Sequence, residues 1–286
     1  MHWRRAGLVS RPSLHLKAPA KINLGLGVLA KRGDGFHEID TLMVRLALHD
    51  VVTLEPTLGD ISLITNDSGL PVDDGNLAVR AARFYLEAAG AKAGVKITLE
   101  KRVPVAAGLG GGASDAAAVL LGLAELHPGR VNLFNLARNL GSDVPFFLLK
   151  KTAARARGRG EKLEPVDLPS RALVLVNPGI KIRASDAYAA LQSFTPRLRV
   201  KRIVSGLEGL EPLRYFNGLQ AGVTLAHRSV REVLVALRNA GLQGVLMSGS
   251  GTTCFGLAAD RDHAQEVASS LHNTFPSWWV NATTFA

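Results

Sequence analysis

An α+β fold in two parts is the class this sequence predicts, on three observations. Strand-like stretches, apolar at every second position, are mixed with stretches of helical spacing. No regular strand–helix–strand repeat orders them, as an all-parallel sheet would require. The 286 residues, 47% hydrophobic and 20% charged, suffice for two ordered domains sharing a cleft, with the boundary expected near 160–170 (1–165 and 166–286).

The elements follow in chain order. Residues 1–13, with Arg4, Arg5 and Arg11, read as a basic extension lacking the apolar centre of a signal peptide. Residues 17–29 place Ile22, Leu24, Leu26 and Val28 in the alternation of a half-buried strand, and a glycine-containing turn follows at 31–35. A strand is expected over 51–54, a helix over 76–89 with Leu77, Ala81, Phe84 and Leu86 near one side, and a strand over 95–99. A glycine-rich segment and an alanine-dense helix come next. A short helix at 133–140 should end on Gly141, where a left-handed backbone is cheap. Residues 171–176 read as a buried strand closed by the turn Asn177-Pro178-Gly179. Beyond it come a helix at 185–192, an irregular basic stretch, helices near 225–240, a glycine loop at 248–251 and a last helix at 262–272.

Composition narrows the function. No apolar run approaches the roughly 18–20 residues of a membrane helix. The single Cys254 excludes an internal disulfide framework and a cysteine-built zinc site, which favours a reducing, cytoplasmic setting. The net charge of +10 draws nucleic acid, anionic membrane surfaces or phosphorylated metabolites. Its densest stretches, 150–159 and 197–202, also read as solvated faces, so charge does not decide between partners.

The chemistry gathers at residues 104–115, P-V-A-A-G-L-G-G-G-A-S-D, ahead of the alanine-dense helix. Successive glycines let backbone N–H groups turn toward an anion, and the helix presents its partly positive end there. Ser114 or Asp115 is the expected cap, with a hydroxyl able to face a phosphate or its metal ion. The Walker lysine and the Rossmann spacing are both missing, so a packing turn explains the glycines alone about as well.

This segment resembles the second signature of the GHMP kinases. Four further stretches are similar to that family in the expected order: A-P-A-K-I-N-L at 18–24, R-G-D-G-F-H at 32–37, L-G-S-D-V-P at 140–145 and S-G-S-G at 248–251. G-R-G-E at 158–161 also resembles it, so the likeness runs over roughly 17–257. The resemblance implies an N-terminal ATP-binding domain like domain 2 of ribosomal protein S5, and a ferredoxin-like C-terminal α/β sandwich. It implies ATP as co-substrate with Mg2+, whose protein ligands the sequence does not identify. The D-G-F-H segment points to the branch whose acceptor is a cytidine diphosphate-linked polyol; a homoserine or mevalonate type of the same family is the alternative.

The resemblance also assigns roles. Lys21 and Asp143 are the implied catalytic pair. ATP is implied against Pro104, Val105, Ala106, Ala107, Gly108, Leu109, Gly110, Gly111, Gly112, Ala113 and Ser114, with Asn76 and Leu77 beside the adenine. Phe36 and Tyr188 are the implied clamp on the cytosine, His37 reads its polar edge, and Asn23 meets the polyol from the same side of the strand as Lys21. Two departures stand out. Ala113 replaces a usual serine, leaving the hydroxyl to Ser114, and the segment 216–220 lacks the two carboxylates common there. Small molecules are the expected partners, without nucleic acid or membrane, for a monomer or weak homodimer. A non-catalytic basic protein on this fold would more naturally have lost Lys21 or Asp143.

Overall fold

The computed structural model describes residues 13–286, so Arg4, Arg5 and Arg11 lie outside the described residues. Two sheets organise the described residues. The first opens with β1 (Leu14–Lys31) and β2 (His37–Thr57), antiparallel along nearly their whole length. β3 (Ile61–Thr65) crosses through α1 (Leu77–Ala89) to its parallel neighbour β4 (Gly94–Glu100), which pairs with the far half of β2. The helices α2 (Gly111–Leu126), α3 (Leu133–Leu140) and the single turn α4 (Val144–Phe147) then lead to β5 (Ala153–Gly158). β5 joins the near half of β2, and β6 (Lys162–Pro165) completes six strands.

The second sheet has the order β10-β7-β9-β8 and is antiparallel. After β7 (Ala172–Asn177) come α5 (Ala184–Ala189), α6 (Val200–Leu207), α7 (Gln220–Ala226) and α8 (Arg228–Asn239). β8 (Gln243–Met247), β9 (Cys254–Leu257), α9 (Arg261–Thr274) and β10 (Trp279–Thr284) follow. Strand alternation sorts β7 cleanly. Val174 and Val176 face Val233, Leu237 and Val267 of the covering helices, whereas Leu173 and Leu175 face the other sheet.

Three cores result. One lies under α1, α2 and α3, with Tyr85, Ile97 and Leu120 fully buried. A middle core joins the two sheets through Ile22, Leu24, Leu42, Leu173, Leu175 and Phe255. The third sits beneath α8 and α9, and Leu26, Val28 and Ile39 of the first sheet enter it. Burial of this kind is the main driving force for the fold.

The structure departs from the sequence reading in several places. Residues 20–28 of β1 are buried on both faces, because the face read as solvated turns toward the glycine segment. The 51–54 strand is only part of a 21-residue β2. Its centre is covered on both faces, and that erases the alternation that would have revealed it. Within 150–159, β5 is an inner strand rather than a solvated face: Arg155 bonds fully buried Asp40 through two contacts of 2.7 Å. The irregular basic stretch contains α6, whose Ile203 and Leu207 pack into the middle core. Gly141 follows α3 as expected but is extended (φ 170), not left-handed.

Candidate active site

β1 brings the first functional side chains to the cleft. Its ladder with β2 is irregular between Pro19 and Lys21 and between Asn23 and Leu26, so register shifts bracket Lys21 and Asn23. Such irregularities re-aim side chains. Lys21 is 4% exposed, and its Nζ donates to Asn23 Oδ1 at 2.8 Å. Asn23 Nδ2 donates to Thr41 Oγ1 at 2.7 Å, and that hydroxyl donates to Gly25 O at 2.7 Å. This chain fixes the amide orientation beside the ammonium.

Asp143 arrives from the other side, at the N-cap position of α4. Its side chain makes no cap hydrogen bond; Oδ2 stands 3.5 Å from Lys21 Nζ, with the carboxylate 38% exposed. The turn leaves this carboxylate available to a ligand.

The glycine segment meets the same two side chains. Gly108 (φ 77) and Gly110 (φ 70) are left-handed, which glycine adopts without the cost other residues meet. A Cβ on Gly110 would lie 2.9 Å from Lys21 Cγ, and one on Gly108 would lie 2.3 Å from Ser248 O. Ala106 is also left-handed (φ 54), an uncommon state for a residue with a Cβ and one that concentrates at functional loops. Leu109 O accepts from Lys21 N at 2.8 Å, tying the loop to β1.

Gly110, not Ser114 or Asp115, is the N-cap of α2, and no side chain caps this helix. The helix begins earlier than the cap reading assumed because Gly111, Gly112 and Ala113 are already helical. Its first-turn N–H groups therefore have no side-chain acceptor, an arrangement suited to an anion. Ser114 is 1% exposed, and its Oγ has no hydrogen-bond partner among the described residues. Its neighbour Ala113 lines the open space instead.

Two cavities adjoin this centre. The larger, about 890 Å³, is lined by Lys21, Asn23, Phe36, His37, Asp143 and Tyr188 among others. The smaller, about 510 Å³, runs along the glycine segment past Asn76, Leu77 and Lys101. They share Leu77, Ala113, Asp143 and Ala184. Asn76 caps α1 through a bond from Ala78 N to its Oδ1, 3.0 Å, so its side chain also has a structural task.

The aromatic groups are disposed differently from a simple Phe36–Tyr188 pair. Tyr188 stacks on His37, centroids 4.8 Å apart at 18°, while Phe36, half exposed, lies under the Arg159 guanidinium at 4.6 Å. Burial and, to a smaller extent, Lys31 lower the His37 pKa, favouring a neutral ring with one donor and one acceptor. Burial and then Asp143 raise that of Tyr188. Arg159 was hidden in a charge run, and only the fold gives it a place beside Phe36.

Ser248 closes the centre from the second sheet, accepting from Asn23 N at 3.3 Å and donating to Gly108 O at 3.0 Å. Of the two positions in 216–220 that lack a carboxylate, Gly218 has no side chain and Gln220 is a neutral substitute, beside an Asn217 that follows the family pattern. Asn217 Nδ2 donates to Met247 O and Gly249 O at 2.8 and 2.7 Å, and Gln220 Oε1 accepts from Met247 N at 2.9 Å.

Sequence reading missed a buried charge group beneath the smaller cavity. Lys101 Nζ pairs with Asp50 and, at 2.6 Å, with Asp115 Oδ2. Asp50 Oδ1 also accepts from the N–H groups of Arg102 and Val103 at 2.6 and 2.8 Å. Burial pushes the Asp115 carboxyl up to about 7 despite Lys101. For Lys101, burial pulls the pKa down, but Asp115 and Asp50 outweigh it and the net direction is upward.

Among the described residues no cluster of three or more His, Cys, Asp or Glu could hold a metal ion by itself. Asp143 lines both cavities, whereas Asp115 is committed to Lys101. That donor set fits Mg2+ delivered on phosphate oxygens, an ion that keeps several waters and needs few carboxylates.

Known proteins resemble the chain over most of its length. Residues 76–151 match the family model for the GHMP kinases N terminal domain, and 203–277 match that for GHMP kinases C terminal. The 4-diphosphocytidyl-2-C-methyl-D-erythritol kinase of Deinococcus radiodurans is 50% identical over 276 residues, covering 94% of this chain and 92% of that protein. A crystal structure of a 4-(cytidine 5'-diphospho)-2C-methyl-D-erythritol kinase superposes with a TM-score of 0.87 at 44% identity, covering 96% of this chain and all of that one. Homoserine kinase from Cytophaga hutchinsonii shares the fold, with a TM-score of 0.72 at 20% identity over all of this chain and 97% of its own.

Proposed function

The chain belongs to the GHMP kinases, and from that premise we infer that it uses ATP to phosphorylate the 2-hydroxyl of 4-diphosphocytidyl-2-C-methyl-D-erythritol. The reaction is a step of the non-mevalonate route to isoprenoid precursors. One observation carries the reading: two cavities of different lining meet at Asp143, the ion-pair partner of Lys21 in the larger one. Identity of 50% to a kinase of that name favours this acceptor, while the likeness to homoserine kinase extends only to the fold.

In this reading the nucleotide fills the smaller cavity, with adenine toward Asn76 and Leu77 and the triphosphate along 104–114. The backbone N–H groups at the start of α2 neutralise part of its charge. The cytidine end of the acceptor occupies the larger cavity among Phe36, His37 and Tyr188, where an incoming base displaces the Tyr188–His37 or Arg159–Phe36 stack. Asn23 holds the polyol, so the 2-hydroxyl sits at Asp143. Its oxygen bonds to the γ-phosphorus as the bond to the β-phosphate oxygen breaks, and ADP leaves. Asp143 orients the hydroxyl and accepts its proton, which passes to solvent. Lys21, 3.5 Å from that carboxylate, offsets charge at the transferring oxygens. Asp143 would be the protein carboxylate available to Mg2+ held mainly by the ATP phosphates, where the ion would supply charge neutralisation. Arg159 and Lys31 line the acceptor cavity and give its mouth a positive rim, so the basic excess serves phosphorylated ligands rather than nucleic acid. A cytoplasmic monomer or weak homodimer completes the reading.

The test is ADP release with this acceptor, set against homoserine and mevalonate. Turnover confined to either of the latter would overturn the acceptor assignment. Asp143→Asn should retain ATP binding and lose turnover by roughly 100-fold or more, the range that positioned acid–base groups contribute. Near-parental turnover would remove Asp143 from its role.

A further inference from the structure

Arg45 lies on β2 directly opposite Lys21 in the β1–β2 ladder. A guanidinium retains its charge in a protein, and burial here lowers its pKa only from a high starting point. Its Nη2 donates to Phe146 O at 2.7 Å and Leu149 O at 2.8 Å, and the cation stands 5.4 Å from the Phe146 ring centroid and 5.9 Å from that of Phe147. The Arg45 backbone N–H donates to Thr152 O at 2.8 Å, so this residue grips the segment after α4 twice. Its bonds go to carbonyls at the end of α4 rather than to a carboxylate, a location where a helix favours positive charge.

Asp143 needs such an anchor. α4 is four residues long, too short to persist by its own hydrogen bonds. Its opening is tied through Phe146 N to Asp143 O at 3.2 Å, so movement at Phe146 is passed to Asp143. The carboxylate's ion pair with Lys21 is 3.5 Å long and partly exposed, too loose to fix it unaided. Phe147 extends the support, because its Cζ lies 3.2 Å from where a Cβ on Gly110 would be, next to Lys21.

We propose that Arg45 is a positioning residue for Asp143: by clamping the Phe146 and Leu149 carbonyls to β2, it sets the base against the strand pair that carries Lys21. Both halves of the catalytic pair are then referenced to adjacent strands. The inference rests on the reading of Asp143 as the base.

Arg45→Gln and Arg45→Lys, each measured per folded molecule, test it. Arg45→Gln should lower kcat by roughly 10- to 100-fold, the effect of about an ångström of misplacement, with the KM for ATP and for the acceptor within about twofold. Arg45→Lys, a charged donor able to reach one carbonyl, should recover part of that loss. Parental kcat in both variants overturns the proposal, and so does a fall in kcat accompanied by a rise in both KM values, which signals general loosening. Where Arg45→Gln does not fold, Arg45→Lys decides: reduced kcat at unchanged KM supports the proposal and parental kcat overturns it. Asp143→Asn in the same assay separates the two ideas. Full turnover there defeats the underlying reading, whereas its loss alongside parental Arg45 variants defeats this inference alone.

Discussion

Asp115 is a carboxylate held where ionisation is expensive, 2% exposed and with Oδ1 unpartnered. Its folded pKa is raised from 3.8 to about 7. A raised value means that its contribution to stability is present below about pH 4 and is lost as pH rises through about 7. Asp115→Asn removes that dependence, so its thermal stability relative to the parent should improve steadily from pH 4 to 7, measured by unfolding scans. Parallel curves would show that Lys101 already compensates the charge. The three buried charges also mark a limit of sequence reading. Lys21 and Asn23 are two residues apart on one strand and could be placed together in advance. Lys101 finds Asp50 and Asp115 at separations of 51 and 14 residues, and pairing at that range is visible only after folding.

Among the elements, the contact between the glycine segment and the loop after β8 is the most demanding. A Cβ at Gly108 would press on Ser248 O at 2.3 Å and Gly251 O at 3.0 Å, both backbone atoms that move only with their loops. Gly108→Ala also meets the unfavourable φ of 77, so it should cost about 1–3 kcal/mol and raise the KM for ATP, read by denaturant unfolding and initial rates. Unchanged KM with lowered stability would make the contact structural only. The elements carrying this segment were legible in part. α1 and α3 kept their boundaries closely because their apolar faces repeat with helical period. β5 was not legible, since Arg155 looks solvated until Asp40 is placed beside β5, and Arg157 stays exposed in the fold. α6 was concealed by Lys201 and Arg202, which project outward while Ile203 and Leu207 turn in.

For the whole molecule, an α+β fold was readable from its mixed periodicities, but the middle core was not. Ile22, Leu24, Leu173 and Leu175 meet only because the two sheets face each other. The larger cavity depends on that union, since Tyr188 follows β7 while Phe36 and His37 precede β2's interior. Asp143, Leu77, Ala113 and Ala184 form a boundary common to both cavities. On the proposed reading, transfer across that boundary is a single displacement within a ternary complex, with no protein nucleophile between the occupants. Initial-velocity lines for the two substrates should therefore intersect rather than run parallel, and a γ-phosphate made chiral with oxygen isotopes should emerge with its configuration inverted.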